Sequence, residues 1–356
     1  MKATIVVLDG DGVGPEVSAE AVKALRVIGE VFGHAFAFDH RLIGGAAIDA
    51  TGEALPEATL GACKGSDAVL LGAVGGPKWD GGTVRPEQGL LDLRRELGVF
   101  SNIRPVKAHA ALAERSPLRA DLVGAVDLVV VRELTGGVYF GRRETGDGYA
   151  IDETKYTVEE IERVARVAGM IATERQGRIA SLDKANVLAT SRLWRATVER
   201  VLTDEFPSIE FEHVLIDAAA MHLLTNPARF DVILTENMFG DIISDESSVL
   251  CGSIGMLGSA SMGASGPGLF EPIHGSAPDI AGRGVANPIG TISSCSMLLR
   301  LGLGLPREAD LLDAAIDRVI VEGPRTPDLG GEALTAEVGD AVGAVIGAIR
   351  SGVVAT

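Results

Sequence analysis

The stretch from Leu8 to Glu16, LDGDGVGPE, follows the apolar run ATIVV and leads into a helix-like segment. That placement invites comparison with the dinucleotide fingerprint, whose glycines are spaced GxGxxG between a strand and a helix, with a ribose-binding acid about 20 positions on. Gly10, Gly12 and Gly14 are spaced GxGxG instead, and Pro15 stands where that loop would approach pyrophosphate. Asp39, after the apolar FAF run, mimics the ribose-binding acid, but a lone acid behind a misspaced loop makes no fingerprint. If a nucleotide binds, another segment must hold it.

Short β-branched runs recur outward from this turn: ATIVVLDG, DAVLLGAVG, VDLVVVRE, GRIASLDKAN, FEHVLID and FDVILTEN. Each meets a polar or Gly-rich break before the next helical period, the alternation of an α/β protein. Continuous runs such as LVVV predict strands buried on both faces. Helical periodicity is clear in PEVSAEAVKALRVIGEVF, VEEIERVARVAGMIATER and ADLLDAAIDRVIVEG. From Leu250 to Gly268 the chain is rich in Gly, Ser and Met with little charge, which reads as a buried connection or a packed helix.

At 356 residues the chain is long for one core, and two domains are expected at about 150 residues each. Its formal charge of −17 opposes polyanions, so nucleic acid is not an expected partner, and an anionic ligand needs a local cluster of positive charge. Cys63, Cys251 and Cys295 are odd in number and far apart, which excludes a disulfide framework and a metal-ligand spacing. The N-terminus meets acids and glycines before an apolar core can form, and no apolar run reaches the roughly 18 residues of a membrane helix. A cytoplasmic protein with no membrane partner is expected.

Ligands of open α/β sheets bind beyond the carboxyl ends of the strands, where Arg132, Asp183, Lys184, Asn186, Asp217, Glu236 and Asn237 fall. In ENMFGDIISDESSVL, Asp241 and Asp245 are four apart, so on a helix they face the same way, about 6 Å apart along the axis. Two like charges there are costly unless a cation offsets them, and oxygen-only ligands suit magnesium or manganese. Asp217 offers a third carboxylate. The competing reading makes Asp217 and Asp241 helix caps and Asp245 a surface acid.

LLDLRRELGVFSNIRP places Arg94, Arg95 and Arg104 close together, and Arg132 ends the VDLVVV strand. Several arginines aimed at one cleft would bind a small polycarboxylate, since each holds a carboxylate through two parallel hydrogen bonds. A solvated helix face is the alternative for Arg94 and Arg95, whereas a buried Arg132 requires a partner. Tyr139, in GGVYFGRRE, reads as a proton donor or as packing. Lys184, in SLDKAN, reads as a base where burial and cations lower its pKa, and otherwise as a surface lysine. His274 begins HGSAPDIAGRGVANP, whose backbone amides suit phosphate or adenine if the loop is not merely packed.

Taken in order, GDGVGPE, GAVGGPKWD, RPEQGLLDLRREL, NIRP, RELTGGVYFG, DKANVL, ENMFGDIISDESS and HGSAPDIAGRGVANP resemble the β-decarboxylating dehydrogenase family nearly end to end. The resemblance implies a non-Rossmann, two-domain α/β fold. Residues 1–99 with 253–356 would form the cofactor domain, and 100–252 the substrate, metal and dimerisation domain. NAD would be held by Val13, Gly75, Gly76, Glu87, His274, Gly275, Ser276, Ala277, Pro278, Asp279, Ile280 and Asn287. The carboxylate of Asp279 would accept from a ribose 2′-hydroxyl and repel a 2′-phosphate, favouring NAD over NADP.

By the same resemblance Arg94, Arg104 and Arg132 hold the substrate carboxylates, and Asp217, Asp241 and Asp245 bind magnesium or manganese, Asp217 also touching substrate. Lys184 would take the hydroxyl proton as hydride leaves for the nicotinamide, and Tyr139 would protonate the enolate left by decarboxylation. Family members are homodimers with shared active sites, Lys184 and Asp217 coming from the partner subunit. Glu87, Leu90 and Leu91 match the isopropylmalate-oxidising subgroup, the leucines contacting the isopropyl group and Glu87 repelling the extra carboxylate of isocitrate. Malate-, tartrate- and homoisocitrate-oxidising members share the catalytic residues. This chain departs from the family pattern at Asp9, where Pro is usual, at Ser101, where Ala is usual, and in a short loop from Asp80 to Val84. A magnesium-dependent phosphotransferase is disfavoured by the lack of a GxxxxGK[ST] loop, and a non-catalytic binding protein by the intact Lys184, Tyr139 and aspartates.

Overall fold

The computed structural model describes residues 1–124 and 126–350. Numbered along the chain, the strands are β1 (Lys2–Gly10), β2 (Ala35–Arg41), β3 (Ala68–Ala73), β4 (Ser101–Lys107), β5 (Asp127–Glu133), β6 (Arg143–Gly146), β7 (Tyr149–Asp152), β8 (Arg178–Asp183), β9 (Glu210–Leu215), β10 (Val232–Thr235), β11 (Gly258–Met262) and β12 (Gly268–Pro272). The chain divides into two compact units, Met1–Gly98 with Gly252–Thr356, and Val99–Cys251. Residues 351–356, which the sequence assigns to the first of these, lie outside the described residues.

In the first unit the strands run in the order β2-β1-β3-β12-β11. β1, β2, β3 and β12 are parallel neighbours, and β11 joins β12 antiparallel. β1 and β3 are central, with Ile5, Val7, Leu8, Leu70 and Leu71 fully buried as their β-branched and leucine runs predict. Helix Gly14–Phe32 begins in the opening stretch, with Pro15 in its first turn where a missing N–H costs nothing, and ends at Gly33 in the left-handed region. The segment read as a connection or packed helix between Leu250 and Gly268 contains β11 instead. Its glycine and serines fit there because Cβ on Gly258 would lie 2.5 Å from the Ser294 backbone nitrogen, so helix Ile289–Met297 approaches too closely for larger side chains.

In the second unit the order is β4-β5-β10-β8-β9, with β4 antiparallel to β5 and the rest parallel. Helices Val158–Thr173 and Ala189–Glu205 cover one core around Trp194, Val198, Val201, Ile161 and Val164. A capping box starts the first of them: Thr157 accepts from the Glu160 amide, and Glu160 accepts from the Thr157 amide. Helix Asn237–Leu250 follows β10 and is capped by the Glu236 side chain, which accepts from the Phe239 amide at 2.6 Å. β6 and β7 form a separate hairpin with Tyr149 and Ile151 exposed.

Candidate functional site

Arg132 is the penultimate residue of β5 and is 2% exposed, so its guanidinium must be satisfied internally. Nε and Nη2 donate to Asn237 Oδ1 at 3.0 and 2.7 Å, and Nη1 forms an ion pair with Asp241. Gly240, one turn into the helix, leaves room for the arginine stem, since a Cβ there would lie 2.7 Å from Arg132 Cγ. Arg104, pointing from β4, donates from Nη1 to Ser244 Oγ at 2.5 Å and Asp245 Oδ1 at 3.3 Å, and from Nε to Asn102 at 2.6 Å. Tyr139 donates to the other oxygen of Asp241 at 2.9 Å, and the Arg132 guanidinium sits 5.8 Å from its ring centre.

Asp241 and Asp245 thus lie on one helix face beside Arg104, Arg132 and Tyr139. Neither is a cap, because Glu236 fills that position. Partial desolvation on its protein-facing side pushes half-exposed Asp245 above the usual carboxylate range, opposed by Arg104 and reinforced by the Asp241 charge. Burial, followed by the Asp241 charge, raises the Tyr139 hydroxyl to about 12, which keeps it protonated at neutral pH.

Lys184, just past β8, meets Asp217 in the first turn of helix Ile216–Thr225, with Nζ 2.8 Å from Oδ1. The Lys184 hydrogen bond chiefly lowers the Asp217 pKa. Fully buried Asp183 braces this corner through a two-pronged contact to Arg195 at 2.8 and 2.9 Å and a bond from the Ala185 amide. One chain does not bring Asp217 to Asp241 and Asp245: among the described residues no group of three or more His, Cys, Asp or Glu is placed to hold a metal. The Asp241–Asp245 pair fits a hard divalent ion by donor chemistry, with carboxylates four apart and both partly open to solvent.

The other sequence-predicted residues lie in the first unit. Val13 donates its amide to Ser276 O at 2.8 Å, and Val13 and Val17 pack with Ala277 and Ile280. The glycines of the opening stretch serve this close approach, for Cβ on Gly12 (φ +59°) would lie 1.9 Å from Ser276 O. Asp11, for which the sequence suggested no role, is buried and accepts from the Gly45, Ala46 and Gly75 amides at 2.7–2.8 Å. Its position between glycines in the turn was the available signal. Glu16 pins the His274 loop by accepting from the Gly282 and Gly284 amides at 2.5 and 2.9 Å.

His274 has a buried Nε2 without a partner, and burial lowers its pKa, so the imidazole is neutral at neutral pH. Gly275, Pro278 and Asp279 are exposed along the loop, while Asn287 donates to Asp328 at 3.0 Å. Gly76 continues the Gly75 turn at φ +155°, and the Glu87 carboxylate lies beside Gly75. An orphaned imidazole nitrogen beside exposed loop backbone fits a dinucleotide. Helix Pro86–Leu97 carries Glu87, Leu90, Leu91 and Arg94 at spacings that share a face. The leucines are half-buried, and Arg94 donates to Glu271 at 2.7 Å. Arg95 instead pairs with Asp92 at the surface.

The fold and this donor set define a decarboxylating dehydrogenase, and the chain belongs to the isocitrate/isopropylmalate dehydrogenase family, which matches residues 4–342. It is 54% identical over 349 residues to the 3-isopropylmalate dehydrogenase of Anaeromyxobacter dehalogenans, covering 96% of this chain and 99% of the relative. It is 57% identical to the 3-isopropylmalate dehydrogenase of Nitratidesulfovibrio vulgaris, covering 92% and 94%. The crystal structure of isocitrate dehydrogenase from Methylococcus capsulatus superposes with a TM-score of 0.87 at 33% identity, covering 97% and 99%. A β-decarboxylating dehydrogenase from Thermococcus kodakarensis gives 0.81 at 38%, covering 98% and 97%.

Proposed function

We propose that the protein oxidises 3-isopropylmalate with NAD and decarboxylates the product to 4-methyl-2-oxopentanoate, a step of leucine biosynthesis in the cytoplasm. The observation that carries this reading is the group formed by Tyr139, Asp241 and Arg132, in a chain more than half identical to 3-isopropylmalate dehydrogenases along nearly its whole length.

Arg94, Arg104 and Arg132 bind the two carboxylates and orient C2. Lys184, directly or through water, takes the hydroxyl proton. NAD, held along the His274 loop, would when bound supply the acceptor for the C2 hydride. Carbon dioxide then leaves from the neighbouring carbon, and its bonding pair becomes an enolate. The Tyr139 hydroxyl gives that carbon its proton, and its high pKa supports this role by keeping the proton in place until it is needed. Asp241 and Asp245, with Asp217 of a second copy, would hold magnesium or manganese, which when bound supplies Lewis acidity to the substrate oxygens. Exposed Asp279 favours NAD over a 2′-phosphorylated cofactor.

A homodimer supports the shared site. Met221 and Leu224, and Ile242 and Val249, are exposed on helices Ile216–Thr225 and Asn237–Leu250. A second copy would cover these apolar side chains. No helix of the described residues is long and apolar enough to cross a membrane.

The test follows NAD reduction with magnesium or manganese against 3-isopropylmalate, isocitrate, D-malate and tartrate in parallel. Selective turnover of 3-isopropylmalate is expected. Preference for another acid would keep the chemistry and reject the Glu87, Leu90 and Leu91 pocket, and silence on all four would reject the activity.

A further inference from the structure

Asn237 opens the helix that carries Asp241 and Asp245 and is 1% exposed. Its Oδ1 accepts from Arg132 Nε and Nη2, while Nδ2 donates to Leu134 O at 3.1 Å and Gly136 O at 2.9 Å. All four hydrogen-bonding capacities of the amide are therefore used, and two facing carbonyl oxygens require the NH2 group on that side. The same turn, Leu134–Gly136, leads directly into the single helical turn Gly137–Tyr139.

Its other side has no slack. Glu133 accepts from the Gly136 amide at 2.7 Å, and a Cβ on Gly137 (φ +71°) would lie 2.4 Å from the Tyr156 hydroxyl. That hydroxyl accepts from the Asn237 backbone N–H at 2.9 Å and donates to Glu236. The turn is wedged between Tyr156 and the Asn237 side chain, and the chain emerging from it delivers the Tyr139 hydroxyl to Asp241.

We propose that Asn237 is a positioning residue for the reaction: its amide ties the Arg132 guanidinium to the backbone turn that carries Tyr139, setting the proton donor relative to the arginine that holds the substrate. This rests on the proposed roles of Arg132 and Tyr139. Each half of the amide has its own consequence, the oxygen acting on substrate binding through Arg132 and the nitrogen on proton delivery through Tyr139.

A double-mutant cycle separates this from a merely structural role. In the holoenzyme, Asn237→Ala should lower kcat about tenfold or more, since small misplacements of a reacting group are costly. In a Tyr139→Phe background, where the donor is already gone, the same change should lower kcat less than about twofold. KM for 3-isopropylmalate should rise in both backgrounds, because Arg132 loses its brace in each. Asn237→Asp, nearly the same size, sets a carboxylate oxygen against two carbonyls and should reproduce the kcat loss; it replaces the alanine variant in the cycle if that variant fails to fold. Equal kcat losses in both backgrounds, or an unchanged kcat, would overturn the positioning role while wild-type turnover stands. A wild type silent on all four acids would reject the function reading, and this one with it.

Discussion

Two arginines, a tyrosine and a partly exposed helix surface meet at the Asp241 carboxylate, and few single groups in the chain concentrate as much chemistry. Asp241→Asn keeps the shape and leaves Arg132 its bonds to Asn237, so the fold should hold, with little change in thermal unfolding. Turnover should nevertheless fall by roughly a hundredfold or more, because the amide is a poor ligand for a hard cation. Full activity of this variant with magnesium or manganese would remove Asp241 from the metal site. The spacing of Asp241 and Asp245 was legible in the sequence because a helix turns 3.6 residues at a time. Asp11 and Asn237 were less so: the sequence shows Asn237 only as a polar residue at a strand end, since amide and carboxylate partners distant in sequence leave no periodic trace.

Among the elements, the turn of the opening stretch has the narrowest tolerance. Gly12→Ala would put a side chain at φ +59° and against the Ser276 carbonyl, a strain of about 1–3 kcal/mol that must be relieved by moving the His274 loop. Weaker NAD binding, by about tenfold or more, and a lower Tm are expected; unchanged cofactor affinity by calorimetry would show that the two loops are independent. The cap of helix Asn237–Leu250 has a pH signature. Burial raises the Glu236 pKa, so the folded chain holds this proton more tightly than the unfolded chain does. That contribution is complete below the ordinary glutamate range and is lost as pH rises through the raised value. Between about pH 5 and about pH 8, Glu236→Gln should therefore lose less Tm than wild type does. Equal slopes would mean that Glu236 ionises in the fold as it does in water. The strong periods of Gly14–Phe32, Val158–Thr173 and Pro306–Glu322 were readable, whereas β11 was not, because close packing on a helix selects small residues that resemble a linker.

For the whole molecule, the exposed Met221, Leu224, Ile242 and Val249 predict that Ile242→Asp weakens self-association. Sedimentation should show a shift towards monomer, and turnover should fall with it, because Lys184 and Asp217 are proposed to serve the partner's site. A monomer of full activity would sink the shared-site reading.

The sequence by itself determined the α/β class, the non-Rossmann character of the first turn, and the residue types of the candidate site, since periodicity, glycine spacing and charged strand ends are local properties. Only the tertiary structure decided that the Gly12 turn closes on Ser276, that Asp11 collects three amides, and that Asn237 joins Arg132 to the Tyr139 turn. Those partners lie tens to hundreds of residues apart, and a buried polar group reveals its partner only when the chain has folded around it.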